Sequence, residues 1–138
     1  MIVKFTVPGA VVGKGRPRFA KRGAFVSTYT PEKTANYENL VKLAAHRAMD
    51  GQEPYAIAVR CTIDVSVMPA LSWSKKKRIE ALSGVSRPTS KPDLDNVAKG
   101  ILDAMNGVVF KDDCQVVELV LRKRYAETAQ AVVEVVEA

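Results

Sequence analysis

Apolar and polar residues alternate from Ile2 to Val7, and this period of two predicts a first β-strand closed by Pro8-Gly9. Thr30-Pro31-Glu32 carries a helix start: a hydroxyl at the N-cap, proline at the first helical position and an acid in the first turn. Tyr37, Leu40, Val41, Ala44, Ala45 and Ala48 then recur at helical spacing as one stripe, which Asp50-Gly51 ends. Val59, Cys61, Ile63, Val65 and Val67 alternate with Arg60, Thr62, Asp64 and Ser66, predicting a strand with one face in a core and one in water. Ser74 to Leu82 predicts a short cationic helix. A second long helix begins at Lys91-Pro92-Asp93; its stripe is Leu94, Val97, Ala98, Ile101, Leu102 and Met105, centred on Leu94 and Ile101, and Asn106-Gly107 stops it. Val116 to Arg124 and Ala131 to Val136 predict two final strands joined by a turn near Glu127 to Gln130. The order β-α-β-α-α-β-β predicts one α+β domain over residues 1–138, a mixed four-stranded sheet with helices packed on one face.

Charge changes the picture. The 138 residues hold 21 Lys+Arg against 15 Asp+Glu, a net charge of +6, and the excess is clustered. Lys14, Arg16, Arg18, Lys21 and Arg22 sit in a stretch without acids, punctuated by Gly13, Gly15, Pro17 and Gly23. Lys75, Lys76, Lys77 and Arg78 form a second run, with Arg87 and Lys91 beyond it. Clustered cations on such segments are what a phosphate-binding surface requires, and a long loop inside a small domain usually has a function. The four-residue run alone is better explained as solvated charge. No apolar run approaches the roughly 18–20 residues of a bilayer span, and the N-terminus lacks the pattern of a secretory signal, so neither membrane nor export is expected. Cys61 and Cys114 stand far apart within apolar surroundings, which fits a reducing cytoplasm better than a disulfide framework or a zinc cluster.

The stretch Lys91 to Asp113 concentrates acids in a basic chain. Asp95, Lys99 and Asp103 follow at steps of four and share one strip beside the apolar stripe, while Asp93 stands near the N-cap. After the helix stop, Val108 to Lys111 returns the chain and Asp112-Asp113 opens the next strand, so a short return could bring that pair beside the helix. Converging carboxylates repel one another unless a hard divalent cation is present, and Mg²⁺ takes few carboxylates, several waters and substrate phosphate. His46, the one histidine, lies opposite the buried stripe of its helix, so zinc is poorly supported; no glycine loop for a nucleotide cofactor and no nucleophile elbow occurs. Each acid also has a plainer explanation. Asp93 could be a helix cap, Asp95 an ion-pair partner of Lys99, Asp112-Asp113 turn residues and Asp103 a solvated helix position.

Asp93-Leu-Asp95-Asn96, Lys99, Asp103-Ala104 and Asp112-Asp113-x-Gln115-Val116 together resemble the signature of the RusA family of Holliday junction resolvases, found largely in phages and prophages. The match is dense over Lys91 to Val117 and looser through the first strand, the basic loop and the first helix. The resemblance implies a small homodimeric, Mg²⁺-dependent endonuclease of DNA recombination and repair that nicks four-way junctions symmetrically. It places the catalytic carboxylates on Asp93, Asp95 and Asp113, with Lys99 as the essential cation and Asp112 as a further candidate ligand. One or two Mg²⁺ ions per site are implied. The longer Gly/Arg loop and the added Lys75 to Arg78 run depart from the shortest members and bear on DNA contacts.

Lys14, Arg16, Arg18, Lys21, Arg22, Lys75, Lys76 and Lys77 are the expected DNA-binding residues, making salt-dependent backbone contacts with little base reading. Two other classes fit part of the pattern: a branched-DNA-binding module without catalysis, and a small Mg²⁺-dependent phosphohydrolase acting on nucleotides.

Overall fold

The alternation at the N-terminus becomes strand β1 (Ile2–Pro8), which turns Val3, Phe5 and Val7 into the core and leaves Ile2, Lys4 and Thr6 outside. The computed structural model describes residues 2–14, 18–22, 25–29 and 32–138, with backbone alone for 18–22 and 25–29. β1 is followed by a hairpin of β2 (Arg18–Arg22) and β3 (Phe25–Tyr29), paired antiparallel with Arg22 opposite Phe25. Only a short extended piece at Phe25-Val26 is legible there in sequence. Helix α1 (Glu32–Met49) starts beside Thr30-Pro31, whose capping role lies outside the described residues. Strand β4 (Val59–Val67), helix α2 (Lys75–Leu82), helix α3 (Leu94–Met105), a single 3-10 turn (Asp113–Gln115), β5 (Val116–Tyr125) and β6 (Gln130–Glu137) complete the chain.

The four long strands form one mixed sheet in the order β1-β6-β4-β5. β6 is antiparallel to both β1 and β4, whereas β4 and β5 run parallel, from Val59 opposite Val116 to Val67 opposite Tyr125. Parallel neighbours cannot be joined by a tight turn, so the connection must cross a face of the sheet, and α2 and α3 lie in it. α1 packs on α3 and β1, with Tyr37, Val41, Ala45 and Met49 inward. Val59, Cys61, Ile63 and Val65 of β4 and Ala131, Val133 and Val135 of β6 face the helices, each fully or almost fully buried. The opposite face carries direct register pairs of charge, Arg60 with Glu118 at 2.6 Å and Arg122 with Asp64 at 3.2 Å.

In α3 the buried stripe is Val97, Ala98, Gly100, Ile101, Ala104 and Met105, while Leu94 is only partly covered. The expected centre at Leu94 and Ile101 is therefore displaced toward Gly100 and Ala104. Residues 11–14 lie against the helix: Gly13 stands 3.4 Å from Asn96 Cβ (measured from the Cβ it lacks), the Lys14 amide donates to the Asn96 carbonyl at 3.0 Å, and a Cβ at Gly100 would stand 3.7 Å from that of Lys14. Gly107 then begins the return after α3 with φ +76°, the left-handed backbone that glycine adopts without strain. The cationic helix expected over Ser74 to Leu82 begins at Lys75, and Ser74 caps it, its hydroxyl accepting from the Lys77 amide at 3.2 Å. Cys61 is buried, and its thiol is pushed up to about 12 by that burial. Cys114 is exposed, against the apolar surroundings expected for it, because the turn that holds it sits outside the sheet. No helix among the described residues is long and apolar enough to cross a membrane.

Candidate active site

Proline at 92 favours extended geometry just before α3, and Asp93 takes the N-cap position with φ −67° and ψ 134°. Its carbonyl accepts the first helical hydrogen bond, from the Val97 amide at 3.1 Å, but its carboxylate makes no capping bond. The plain cap explanation thus fails for this side chain. Asp95 follows in the exposed first turn. Among the described residues neither acid forms a salt bridge, in a chain of net charge +6. Lys123, whose ammonium donates to the carbonyls of Ser90 at 2.9 Å and Pro92 at 3.0 Å, ties the segment before Asp93 to β5. Beside Asp93 opens a cleft of ≈ 560 Å³ between residues 11–14, the start of α1 and Lys91-Pro92. Lys33 and Lys91 line it, so two acids and two cations without a salt bridge among the described residues share one end of α3; sequence reasoning gave Lys33 no role, and only the tertiary approach of α1 reveals it.

Further along the strip the expectations need correction. Asp103 is not a solvated position: its carboxylate receives Lys14 Nζ at 2.7 Å and Lys99 Nζ at 3.8 Å. Lys99 therefore leans one turn forward, to Asp103, rather than back to Asp95. Lys14 also reaches Glu38 of α1 at 2.8 Å, so it clamps three segments together. Burial lowers the Lys14 pKa, but the bonds from Asp103 and Glu38 outweigh it and hold the ammonium above its ordinary range. A raised lysine stabilises the fold below its unfolded pKa of about 10.4 and stops doing so as pH climbs past the folded value. Lys14→Met should cost about 1–2 kcal/mol near neutrality, between the values for exposed and buried pairs. In denaturant titrations the gap between variant and wild type should close as pH rises past the folded Lys14 value, where the wild-type lysine also loses its charge.

Asp112 and Asp113 open the turn before β5. Gln115 pins it: its Oε1 accepts from the Asp112 amide at 2.9 Å, and its Nε2 donates to the carbonyls of Tyr55 at 2.8 Å and Ile57 at 2.9 Å. Gln115 belongs to the recognised motif, yet its role as a pin depends on residues 55–57, which no local spacing brings near. The Asp112 carboxylate lies below its usual range, held there first by the Cys114 thiol and then by nearby backbone N–H groups. Asp113 stands at the end of the sheet where β4 and β5 begin, whereas Pro92 lines one cavity with Ser66, Val67 and Met68, where β4 finishes. The return from α3 therefore does not bring Asp113 back to Asp93 and Asp95. Among the described residues, no three His, Cys, Asp or Glu side chains stand together as a metal site. The donors suit a hard cation chemically, but one chain does not assemble the expected set, and no reaction step is assigned to a metal within it. His46 is exposed on α1.

Of the expected DNA-binding cations, Arg16 lies outside the described residues, and Arg18, Lys21 and Arg22 are described only as backbone of β2. Lys75, Lys76 and Lys77 are exposed on α2. Lys77 Nζ rests 4.2 Å from the centre of the Trp73 ring, which meets Tyr125 edge-on at 5.4 Å. A second cleft, ≈ 580 Å³, runs between the end of α2 and β5 with Arg87, Arg122 and Arg124 on its rim.

An acidic helix start beside a cationic cleft, carried on this mixed sheet, is the layout of a nucleic-acid-processing domain, and the family model described as Endodeoxyribonuclease RusA matches residues 8–136. The chain belongs to the RusA endodeoxyribonuclease family. It is also 42% identical over 130 residues to a protein of Bacillus subtilis (strain 168) named "Uncharacterized protein YqaN", an alignment covering 91% of this chain and 89% of that one.

Proposed function

We propose that this nuclease is a cytoplasmic, homodimeric resolvase of DNA recombination and repair, which cuts four-way DNA junctions by paired symmetric nicks and depends on Mg²⁺. Asp93, Asp95 and Asp113 are its proposed acids, with Asp112 beside them and Lys99 as the cation that offsets charge building on the scissile phosphate. All are oxygen donors or an ammonium, as one or two hard ions and a phosphate require. The observation that carries the proposal is the state of Asp93: it occupies a cap position without capping, unpaired among the described residues, at the rim of a cleft lined by Lys33 and Lys91. A carboxylate left in that state is available to a ligand. Lys14 is committed to Glu38 and Asp103, so backbone contacts fall to Arg16, Arg18, Lys21, Arg22 and Lys75, Lys76 and Lys77, with Lys33 and Lys91 near the cut.

The test is a labelled four-way junction incubated with the protein, with and without Mg²⁺. Symmetric, ligatable nicks that require the metal support the proposal; uncut but retarded DNA supports the non-catalytic binding module, which the distance of Asp113 from Asp93 within one chain favours. Binding should weaken steeply with salt. Replacing Lys75, Lys76 and Lys77 together by alanine should flatten the slope of log K against log[salt] by about 2–3, on the basis of roughly 0.9 per lost phosphate contact. An unchanged slope would remove α2 from the DNA surface.

A further inference from the structure

Three arginines gather around the finish of β5, apart from the cleft beside Asp93. Arg122 and Arg124 come from the strand, and Arg87 reaches the same ≈ 580 Å³ cleft from the segment after α2. No aspartate or glutamate lines it. Arg122 is paired with Asp64 at 3.2 Å, whereas Arg87 and Arg124 are exposed and form no salt bridge among the described residues. The walls are firmly built. α2 buries only Ala81 and so adds little to the core. Trp73, just before its cap, fastens it to the sheet by meeting Tyr125 edge-on at 5.4 Å, with Lys77 Nζ 4.2 Å from the ring centre. At the other end of α2 the amides of Ser83, Gly84 and Ser86 donate to the carbonyls of Ile79, Ala81 and Glu80 at 2.9, 3.2 and 3.0 Å. Gly84, with φ +86°, makes that closure without strain. The buried Pro88 follows Arg87 and limits its backbone. Beyond it, Lys123 holds the carbonyls of Ser90 and Pro92, which fastens the approach to Asp93 along β5.

We infer that this cleft binds the sugar-phosphate backbone of the strand being cut, to one side of the cut, with Arg87 and Arg124 as the phosphate ligands. The inference rests on the proposed cutting at Asp93 and adds to it a hold on the DNA that the sequence did not suggest. A phosphodiester backbone is the occupant that the chemistry selects. The planar fork of arginine matches phosphate oxygens two at a time, and its charge persists at any pH a protein meets. Cations lining a cleft without acids repel one another, and a polyanion relieves that repulsion. Arg122, held by Asp64, adds to the field at the rim. The chain also fixes how far this hold lies from the acids. Arg87 precedes Asp93 by six residues, which span at most about 20 Å at 3.3–3.6 Å each. One strand of a duplex carries a phosphate about every 3.4 Å along its axis. With the reach of the arginine side chain included, the contacts fall within about eight phosphates of the cut.

Binding of a labelled four-way junction without metal tests this, with the double variant Arg87→Ala, Arg124→Ala set against wild type. Each lost phosphate contact removes about 0.9 from the slope of log K against log[salt], so the slope should flatten by about 2. Between 50 and 200 mM salt the variant should therefore lose about tenfold less affinity than wild type does. The double variant Arg87→Lys, Arg124→Lys keeps both charges and should recover most of the slope, which a packing role would not allow. An alanine variant with the wild-type slope overturns the inference, and nicking by wild type in Mg²⁺ then upholds the nuclease on its own. Wild type that binds but does not nick counts against the nuclease, while the slopes still decide whether the cleft holds DNA. A second measurement locates the contact. Single neutral methylphosphonates are placed along the cut strand. Those within about eight phosphates on one side of the nick should weaken wild type severalfold and leave the alanine variant unmoved. Equal sensitivity of the two proteins at every position would falsify the assignment of this cleft to the DNA path.

Discussion

Asp93→Asn should reduce junction cutting by at least about 10²–10³-fold, because a carboxylate that serves charge stabilisation at a phosphate contributes several kcal/mol and each 1.36 kcal/mol is tenfold. Affinity should move the opposite way. The substitution removes a negative charge from the rim of a cleft that holds Lys33 and Lys91, so junction binding in the absence of metal should hold or tighten. Stability should scarcely change, since the Asp93 carboxylate makes no capping bond and no salt bridge among the described residues. That three-way signature separates a site acid from a structural one. A cap would lose about 1 kcal/mol of stability and leave cutting intact. Nick rate, gel retardation and thermal melting on the same preparation decide it, and a variant that melts early but still cuts would return Asp93 to the role of helix cap.

The largest effect on stability is expected at Phe110. Its side chain is fully buried, and its backbone bridges to Tyr55 and Asn106, with its carbonyl accepting from the Gly107 amide at 2.8 Å. It is the residue on which the return from α3 turns toward β5. Phe110→Ala should cost about 3–5 kcal/mol through lost burial and the cavity left behind. For a domain of this size that is a fall in Tm of roughly 10–20 °C. Phe110→Leu fills most of the space and should recover more than half of the loss, which distinguishes a packing defect from a disturbed backbone. Cutting should decline with Phe110→Ala even at temperatures where the variant is folded, because the turn holding Asp113 is anchored beside it. Melting curves with matched low-temperature nicking assays test both statements, and a drop in Tm of only a degree or two would show that the return is secured elsewhere.

Much of this molecule was legible from its letters because the signals are local. Alternation at Ile2–Val7 and Val59–Val67, the short cationic helix ending at Leu82 and the Asn106-Gly107 stop each depend on neighbours within a few residues, and each appears where expected. The hairpin of β2 and β3 was not legible, as its cations and glycines mask a strand pattern that is completed only by pairing. The centre of the α3 stripe differs from the expected one because periodicity cannot register that residues 11–14 approach Asn96 and Gly100. Lys14 illustrates the same limit for the site. By composition it belongs to a phosphate-binding run, yet tertiary packing brings it to Glu38 and Asp103, residues remote in sequence. The candidacy of the acids was legible, since their types and spacings are distinctive. Their separation was not, because a helical wheel reports angle about an axis and is silent on distance along it.

The parallel pairing of β4 with β5 has a consequence for how the enzyme comes into being. Val67 and Val116 are separated by an excursion containing α2, α3 and every proposed acid, so this contact closes a large loop and is among the entropically dearest in the chain. On the ribosome β4 emerges early, but its neighbours β5 and β6 come last, and the sheet cannot close until synthesis is nearly finished. Asp113 then reaches its position only when the whole domain does. A chain that stops before β5 and β6 therefore leaves β4 without its two neighbours and the turn at Asp113 without the strand it leads into.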